Sequence, residues 1–254
     1  MRVVILGTAT SYGVPVIGCR CATCTSQDPR NKRTRASAYV ETDEGVHLLI
    51  DSGPEMRLQM LREGLSQVDA VLYTHLHADH TAGIDDLKAF NARLGGVLPC
   101  FGDAATGAAL RERFAYAFAG TPWIGLIPHI GFTAVDAAPF FVGGTCIQPI
   151  PMRHGAIRST GYRIGKFAYL TDTSGIPSAS RVLLHDLQIL VVDALRWEPH
   201  PTHFSVPEAL ALVEDLQPER AYLTHVGHTL EHQTTNDKIG PAVEIAYDGL
   251  RLEL

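Results

Sequence analysis

Directly after the apolar run Ala70 to Tyr73, the stretch Thr74-His75-Leu76-His77-Ala78-Asp79-His80 places three histidines and an aspartate within six positions. So many metal-competent groups in one short segment seldom arise in a solvated loop, so the fold must carry this strand end into a shared site. On a helix, residues two apart face different directions. An extended or turning segment lets His75 and His77 aim at one metal while Asp79 and His80 turn toward another.

Four side chains cannot complete two coordination shells, and further candidates recur past later apolar runs. His154 follows Ile147 to Met152, Asp172 follows Tyr169 to Thr171, and His225 follows Tyr222 to Thr224. Taken singly, a His or Asp at a strand end is usually a surface or capping residue. Three strand ends delivering one ligand each would converge at one edge of a sheet, where α/β proteins place their sites.

The rest of the pattern supports an α/β chain. Val3 to Leu6, Ala38 to Glu41, Val46 to Ile50 and Ala70 to Tyr73 read as strands, and Glu55 to Arg62, Ile84 to Leu94 and Ala104 to Tyr116 as helices, the last N-capped by Asp103. The second half repeats the mixture. Strands are expected near Thr145 to Ile150, Gly161 to Ile164, Phe167 to Leu170, Ile189 to Val192 and Ala221 to Leu223, with helices near Ser178 to His185 and Pro207 to Leu216. Two similar halves suggest a layered sandwich. Residues 118 to 141 are the least regular stretch and read as a loop or flap over a site. The 23 glycines and 15 prolines are dispersed along the 254 residues, so no linker marks a boundary and residues 1–254 read as one domain.

Charge and targeting features narrow the class. A net charge of −6 offers no general attraction to nucleic acid or an anionic membrane, so a phosphate-bearing substrate would have to be held locally by metals and arginines. Residues 1 to 6 read as a first strand rather than a signal peptide, and no segment reaches the length of a membrane span, so a cytoplasmic location is expected. Three of the five cysteines crowd into Cys19-Arg20-Cys21-Ala22-Thr23-Cys24, which fits a reduced compartment and a metal better than a disulfide framework. Three thiolates are one ligand short of a closed tetrahedral zinc site, and His228, three residues past His225, is the candidate fourth.

The His-x-His-x-Asp-His cluster, followed in order by a His, an Asp and a last His, resembles the signature of the metallo-β-lactamase superfamily. The resemblance spans nearly the whole chain. It implies a four-layer αββα sandwich, one metal on His75, His77 and His154, a second on Asp79, His80 and His225, and Asp172 as the bridge. Two divalent ions about 3.5 to 4 Å apart share a water, lower its pKa toward neutrality and polarise the oxygens of a bound ester. Imidazoles with carboxylates suit Zn²⁺ but also Mn²⁺ or Fe²⁺.

Gly7-Thr8-Ala9-Thr10, Gly13-Val14-Pro15, Gly18-Cys19-Arg20-Cys21 and Thr224-His225-Val226-Gly227-His228 are similar to motifs of the phosphoribosyl 1,2-cyclic phosphate phosphodiesterases of the carbon-phosphorus lyase pathway and their relatives. That resemblance implies a structural zinc on Cys19, Cys21, Cys24 and His228, beside the two catalytic ions. It also places His203, in His203-Phe204-Ser205 before the helix at Pro207, where those proteins carry a catalytic His. Asp79 and His203 are thus the expected catalytic residues, His203 as the general acid that protonates the departing alkoxide.

The expected activity is hydrolysis of a small, cyclic phosphodiester. The alternatives are a tRNA 3′-processing endonuclease of the same fold, which would need a basic RNA-gripping insertion, and a non-catalytic relative similar to the pyrroloquinoline quinone biosynthesis protein. Thioester hydrolysis of the glyoxalase II kind would leave the cysteine cluster unexplained. A homodimer is expected by analogy alone. Arg30, Lys32, Arg33 and Arg35 read as a solvated charged face. Cys100 and Cys146 read as buried small hydrophobes, and His47, His129, His185, His200 and His232 as ordinary residues.

Overall fold

Period-two alternation in the first strand sends Val3 and Ile5 to one side and Val4 and Leu6 to the other, and both sides are buried. That double burial dictates layers on both faces of the sheet. The computed structural model describes residues 1–118 and 127–254. In chain order the strands are β1 (Arg2–Gly7), β2 (Ser37–Glu41), β3 (His47–Ile50), β4 (Ala70–Leu72), β5 (Leu98–Gly102), β6 (Ile130–Ala134), β7 (Phe140–Val142), β8 (Thr145–His154), β9 (Ile157–Ile164), β10 (Phe167–Leu170), β11 (Ile189–Asp193), β12 (Arg220–Thr224), β13 (Val243–Ile245) and β14 (Leu250–Glu253). The α-helices are α1 (Ala22–Thr25), α2 (Met56–Glu63), α3 (Ala78–Thr81), α4 (Lys88–Leu94), α5 (Ala104–Arg113), α6 (Ser178–Arg181), α7 (Val206–Leu216) and α8 (His232–Ile239).

Among the described residues these strands form two seven-stranded sheets, ordered β14-β1-β2-β3-β4-β5-β6 and β13-β12-β11-β10-β9-β8-β7. Each sheet is antiparallel in one half and parallel in the other: β14 to β3 and β7 to β10 alternate in direction, whereas β3 to β6 and β10 to β13 run together. The inner core joins Ile5, Val40, Leu48 and Leu72 of the first sheet to Ile147, Tyr162, Phe167 and Val191 of the second. Met56, Met60, Ile84 and Leu110 cover the outer face of the first sheet, and Leu184, Val206, Leu212 and Leu216 that of the second. Each such buried aliphatic side chain contributes about 1.5–3 kcal/mol relative to exposure. This is the αββα sandwich of the metallo-β-lactamase fold.

The expected elements recur with local differences. The stretch 84–94 is a 3₁₀ turn, Ile84–Leu87, running into α4, and the helix expected over 178–185 is α6 followed by a second 3₁₀ turn, Val182–Leu184. α5 ends at Arg113, after which the carbonyl of Leu110 accepts from the Phe114 N–H. Of the expected flap at 118–141, residues 130–134 and 140–142 are strands β6 and β7, which extend the two sheet edges, and 119–126 lie outside the described residues.

Parallel strands point their C-terminal ends the same way, so the ends of β3, β4, β10, β11 and β12, with the end of β8, meet over one edge of the sandwich. No helix among the described residues is long and apolar enough to cross a membrane.

Candidate metal centre

Six of the strands that end at this edge deliver a polar side chain to one place. Asp51 follows β3, Thr74 and His75 come soon after β4, His154 closes β8, Asp172 lies just past β10, Asp193 closes β11 and His225 follows β12. Asp51, Asp172 and His225 have φ of 63°, 55° and 55°, in the left-handed region that L-residues with a Cβ disfavour. Each of the three turns the chain sharply off its strand. His75 and His77 lie on the extended exit from β4, but Asp79 and His80 belong to the one-turn helix α3, with His77 at its N-cap. The helical turn changes the aim of the second pair, as a purely extended loop would not.

The side chains gather into two groups. His75 Nε2 lies 2.9 Å from His77 Nδ1, and His154 Nε2 is 3.4 Å from the same His77 atom. On the other side His80 Nε2 is 3.3 Å from Asp79 Oδ2, which lies 3.7 Å from His225 Nε2. Asp172 stands between. Its Oδ1 is 3.8 Å from His75 and 3.8 Å from His154, and its Oδ2 is 3.2 Å from His80.

These residues fit divalent cations. Three imidazole nitrogens converging this closely cannot satisfy one another, and the buried Nε2 atoms of His80 and His225 have no hydrogen-bond partner. A cation on each side of Asp172 would give every one of these lone pairs a partner. Burial holds His75 well below the ordinary imidazole value and pushes His77 and His154 in the same direction, so these rings are neutral. Around His80 and His225 burial acts the same way, but carboxylates outweigh it. Asp172 and Asp51 hold His80 well above its ordinary value, and Asp172, Asp79 and Asp193 raise His225 to about 9. Without metal, one group presents free lone pairs and the other holds ion pairs.

Two aspartates missing from the sequence reading hold the arrangement in place. Asp51, fully buried, accepts from His80 Nδ1 at 2.7 Å and from the N–H and hydroxyl of Thr74, each at 2.8 Å. Asp193 accepts from His203 Nδ1 at 2.9 Å and from the Thr173 N–H at 2.9 Å. Both follow apolar β-runs, the same signal that singled out Asp172. The Thr202 carbonyl accepts from His154 Nδ1 at 2.7 Å, which orients that ring from the loop carrying His203. The His203 ring stacks on that of His225, with centroids 4.7 Å apart and planes 10° from parallel. A cleft of about 340 Å³ opens over the centre, with Ser11, Thr202 and His203 on polar walls and Ala156 and Ile157 on an apolar one.

The cysteine cluster also assembles. Cys19, Cys21 and Cys24 place their sulfurs 3.3, 3.5 and 3.7 Å from His228 Nδ1. Backbone N–H groups of Val16 and Cys24 point at the Cys24 and Cys21 sulfurs, as expected around thiolates. The Cys24 N–H and the imidazole of His228 bring the Cys21 thiol down to about 6, whereas burial lifts Cys24 to about 11. Three sulfurs and one imidazole in one knot, with only Cys24 buried, suit a closed tetrahedral zinc site.

Other expectations are corrected. Arg33 is buried, not on a solvated face: its guanidinium donates to the carbonyls of Leu230 and Arg30 and to Asn31 Oδ1. Arg35 pairs with Glu55 and donates to the Ser11 carbonyl at the cleft. Cys100 is buried on β5, but Cys146 is exposed, because alternation along β8 turns it away from Ile147 and the core. His200, read as ordinary, lies with its ring centroid 5.3 Å from that of His203.

The beta-lactamase superfamily domain matches residues 47–226. An octanoyltransferase of Porphyromonas gingivalis is 34% identical over 253 residues, covering 98% of this chain; the chain spans only 51% of that relative's length. Among solved structures, a diphosphatase from the PhnP family is 40% identical, with a TM-score of 0.91 and coverage of 99% of this chain and 97% of that one. The Zn²⁺-bound PqqB of Methylobacterium extorquens shares the fold at 20% identity and a TM-score of 0.79, with all of both chains covered.

Proposed function

The chain belongs to the beta-lactamase superfamily, and from that premise we propose that it is a metal-dependent phosphoric ester hydrolase. Its substrate on this reading is a small phosphodiester or diphosphate ester, with phosphoribosyl 1,2-cyclic phosphate as the first candidate. The observation that carries the reading is the pairing of His203 with Asp193 beside the donor set. A hydrolase that expels an alkoxide or phosphate oxygen needs a proton donor there.

His75, His77 and His154 would hold one ion and Asp79, His80 and His225 another, with Asp172 touching both. Ions bound there supply Lewis-acid polarisation of phosphoryl oxygens and acidify water. Asp193 accepts the Nδ1 proton of His203, which leaves Nε2 as the nitrogen that exchanges a proton with the leaving oxygen. Asp193 also accepts from Thr173, so the acid and the Asp172 turn are fixed to one buried carboxylate. Ala156 and Ile157 keep one wall of the cleft dry, and its volume suits a substrate of a few tens of atoms or fewer. Cys19, Cys21, Cys24 and His228 would hold a structural zinc. The small cleft and the net charge of −6 count against a tRNA substrate, and the full set of seven donors counts against a role in binding alone.

The test is turnover of bis(p-nitrophenyl) phosphate and of phosphoribosyl 1,2-cyclic phosphate by protein whose metal content has been measured. Hydrolysis that stops on chelation and returns with zinc or manganese is the expected result. Fully loaded protein inert toward both substrates would overturn the reading.

A further inference from the structure

Ser11 lines the cleft over the metal centre together with His77, Asp79, His154, Asp172 and His225. Its place there is built from the backbone outward. Ala9, just past β1, pairs in parallel with Arg35 on one side and with Val226, the residue after His225, on the other. The Val226 N–H donates to the Thr8 carbonyl at 2.8 Å, so the backbone that follows one candidate ligand also steadies the approach to Ser11. A tight turn comes next. The Gly13 N–H donates to the Thr10 carbonyl at 2.9 Å, Thr10 Oγ1 accepts from the Tyr12 N–H at 3.3 Å, and Gly13 takes the left-handed φ of 68° that ends the turn. Ser11 stands at the corner, where Arg35 Nε donates to its carbonyl at 2.9 Å.

The polar groups around the cleft divide by task. His77, Asp79, His154, Asp172 and His225 belong to the donor set, and His203 is paired with Asp193 as the acid. Thr202 pairs its N–H and hydroxyl with His200 Nδ1 and its carbonyl with His154. Among the described residues that line the cleft, Ser11 keeps the one side-chain hydroxyl with no hydrogen-bond partner. Arg35 brings it no free charge, because Glu55 pairs with the guanidinium. An uncharged hydroxyl both donates and accepts, which matches an alcohol better than an anion. Ala156 and Ile157 supply apolar surface that the C–H face of a ring would cover.

We propose that Ser11 determines specificity in this cleft: its hydroxyl hydrogen-bonds a hydroxyl on the organic group of the phosphoric ester and so favours hydroxylated esters over bare alkyl ones. The proposal rests on the phosphoric ester reading and assigns the recognition of the organic group to a residue outside both donor sets.

The experiment measures binding of ribose 5-phosphate and of tetrahydrofurfuryl phosphate, the same ring without its hydroxyls, to the zinc-loaded protein by titration calorimetry. Wild type, Ser11→Ala and Ser11→Thr are compared; Ser11 is exposed, so neither change removes a packed core group. Wild type should prefer ribose 5-phosphate by about three- to tenfold, the worth of one neutral hydrogen bond. Ser11→Ala should bring the ratio to within about twofold of one by weakening ribose 5-phosphate alone, and Ser11→Thr, which keeps the hydroxyl, should retain the preference. Equal affinities in wild type, a preference that survives in Ser11→Ala, a loss shared by both ligands, or a loss in Ser11→Thr as complete as in Ser11→Ala would each overturn the role of Ser11. Because binding is read without turnover, the preference in a protein that fails to cleave bis(p-nitrophenyl) phosphate would leave Ser11 standing and remove the hydrolase reading, whereas cleavage without the preference would remove Ser11 alone.

Discussion

Asp51 and His80 face each other at 2.7 Å, both fully buried, with the Asp51 carboxylate also tied to Thr74 just before His75. One carboxylate therefore fixes the ring of a candidate ligand and the exit of the strand that carries the next. Asp51→Asn keeps the shape and tolerates the left-handed backbone but removes the charge. Metal affinity should drop by about ten- to a hundredfold, read by competition with a chelating dye. Unchanged affinity would show that Asp51 serves packing alone.

The His203–Asp193 pair separates proton transfer from metal binding. His203→Gln should lower kcat by about 10²–10³-fold with two catalytic ions still bound. Asp193→Asn should lower kcat less, since it alters the partner rather than the acid. Loss of metal along with activity in His203→Gln would move that residue into the ligand set.

Removing a thiol tests the second cluster. Cys21→Ser should release one zinc per chain and lower the melting temperature by roughly 5–10 °C, a few kcal/mol at this size. If hydrolysis falls as well, the cause lies in the three-residue spacing between His228 and His225, and added zinc would not restore it. Unchanged zinc content and melting would contradict a structural metal there.

The raised value of His225 has a signed consequence in metal-free protein. Its folded value of about 9 exceeds the ordinary 6.5, so the protonated ring contributes stability that is complete below pH 6.5 and is lost as pH rises through 9. The difference in denaturation midpoint between metal-free wild type and metal-free His225→Gln should therefore narrow across that window. The same proton must leave when a metal arrives, so affinity at this half of the centre should climb with pH up to about 9. A gap that widens with pH would reverse the assignment.

The donor residues were legible because each stands just past an apolar run, and strand ends of a parallel sheet share an edge. The same signal also marks Asp51 after His47–Ile50 and Asp193 after Ile189–Val192, but a lone aspartate at a strand end is usually a cap, and only the tertiary contact with His80 or His203 distinguishes these two. The charge run at 30–35 misleads for a related reason: composition cannot show that Arg33 meets the carbonyl of Leu230, almost two hundred positions away. Cys146 shows how far register matters, since one step along β8 separates solvent from the core at Ile147. Short 3₁₀ turns before α4 and after α6 keep helical spacing, so periodicity alone reads them as helix.

The left-handed residues Asp51, Asp172 and His225 set the centre against the stability of its own scaffold. Each carries a backbone cost of about 1–2 kcal/mol, and a glycine would relieve that cost only by giving up buried contacts such as those of Asp51 with His80 and Thr74. Thermostable variants that keep their function should accumulate changes elsewhere and leave this trio untouched.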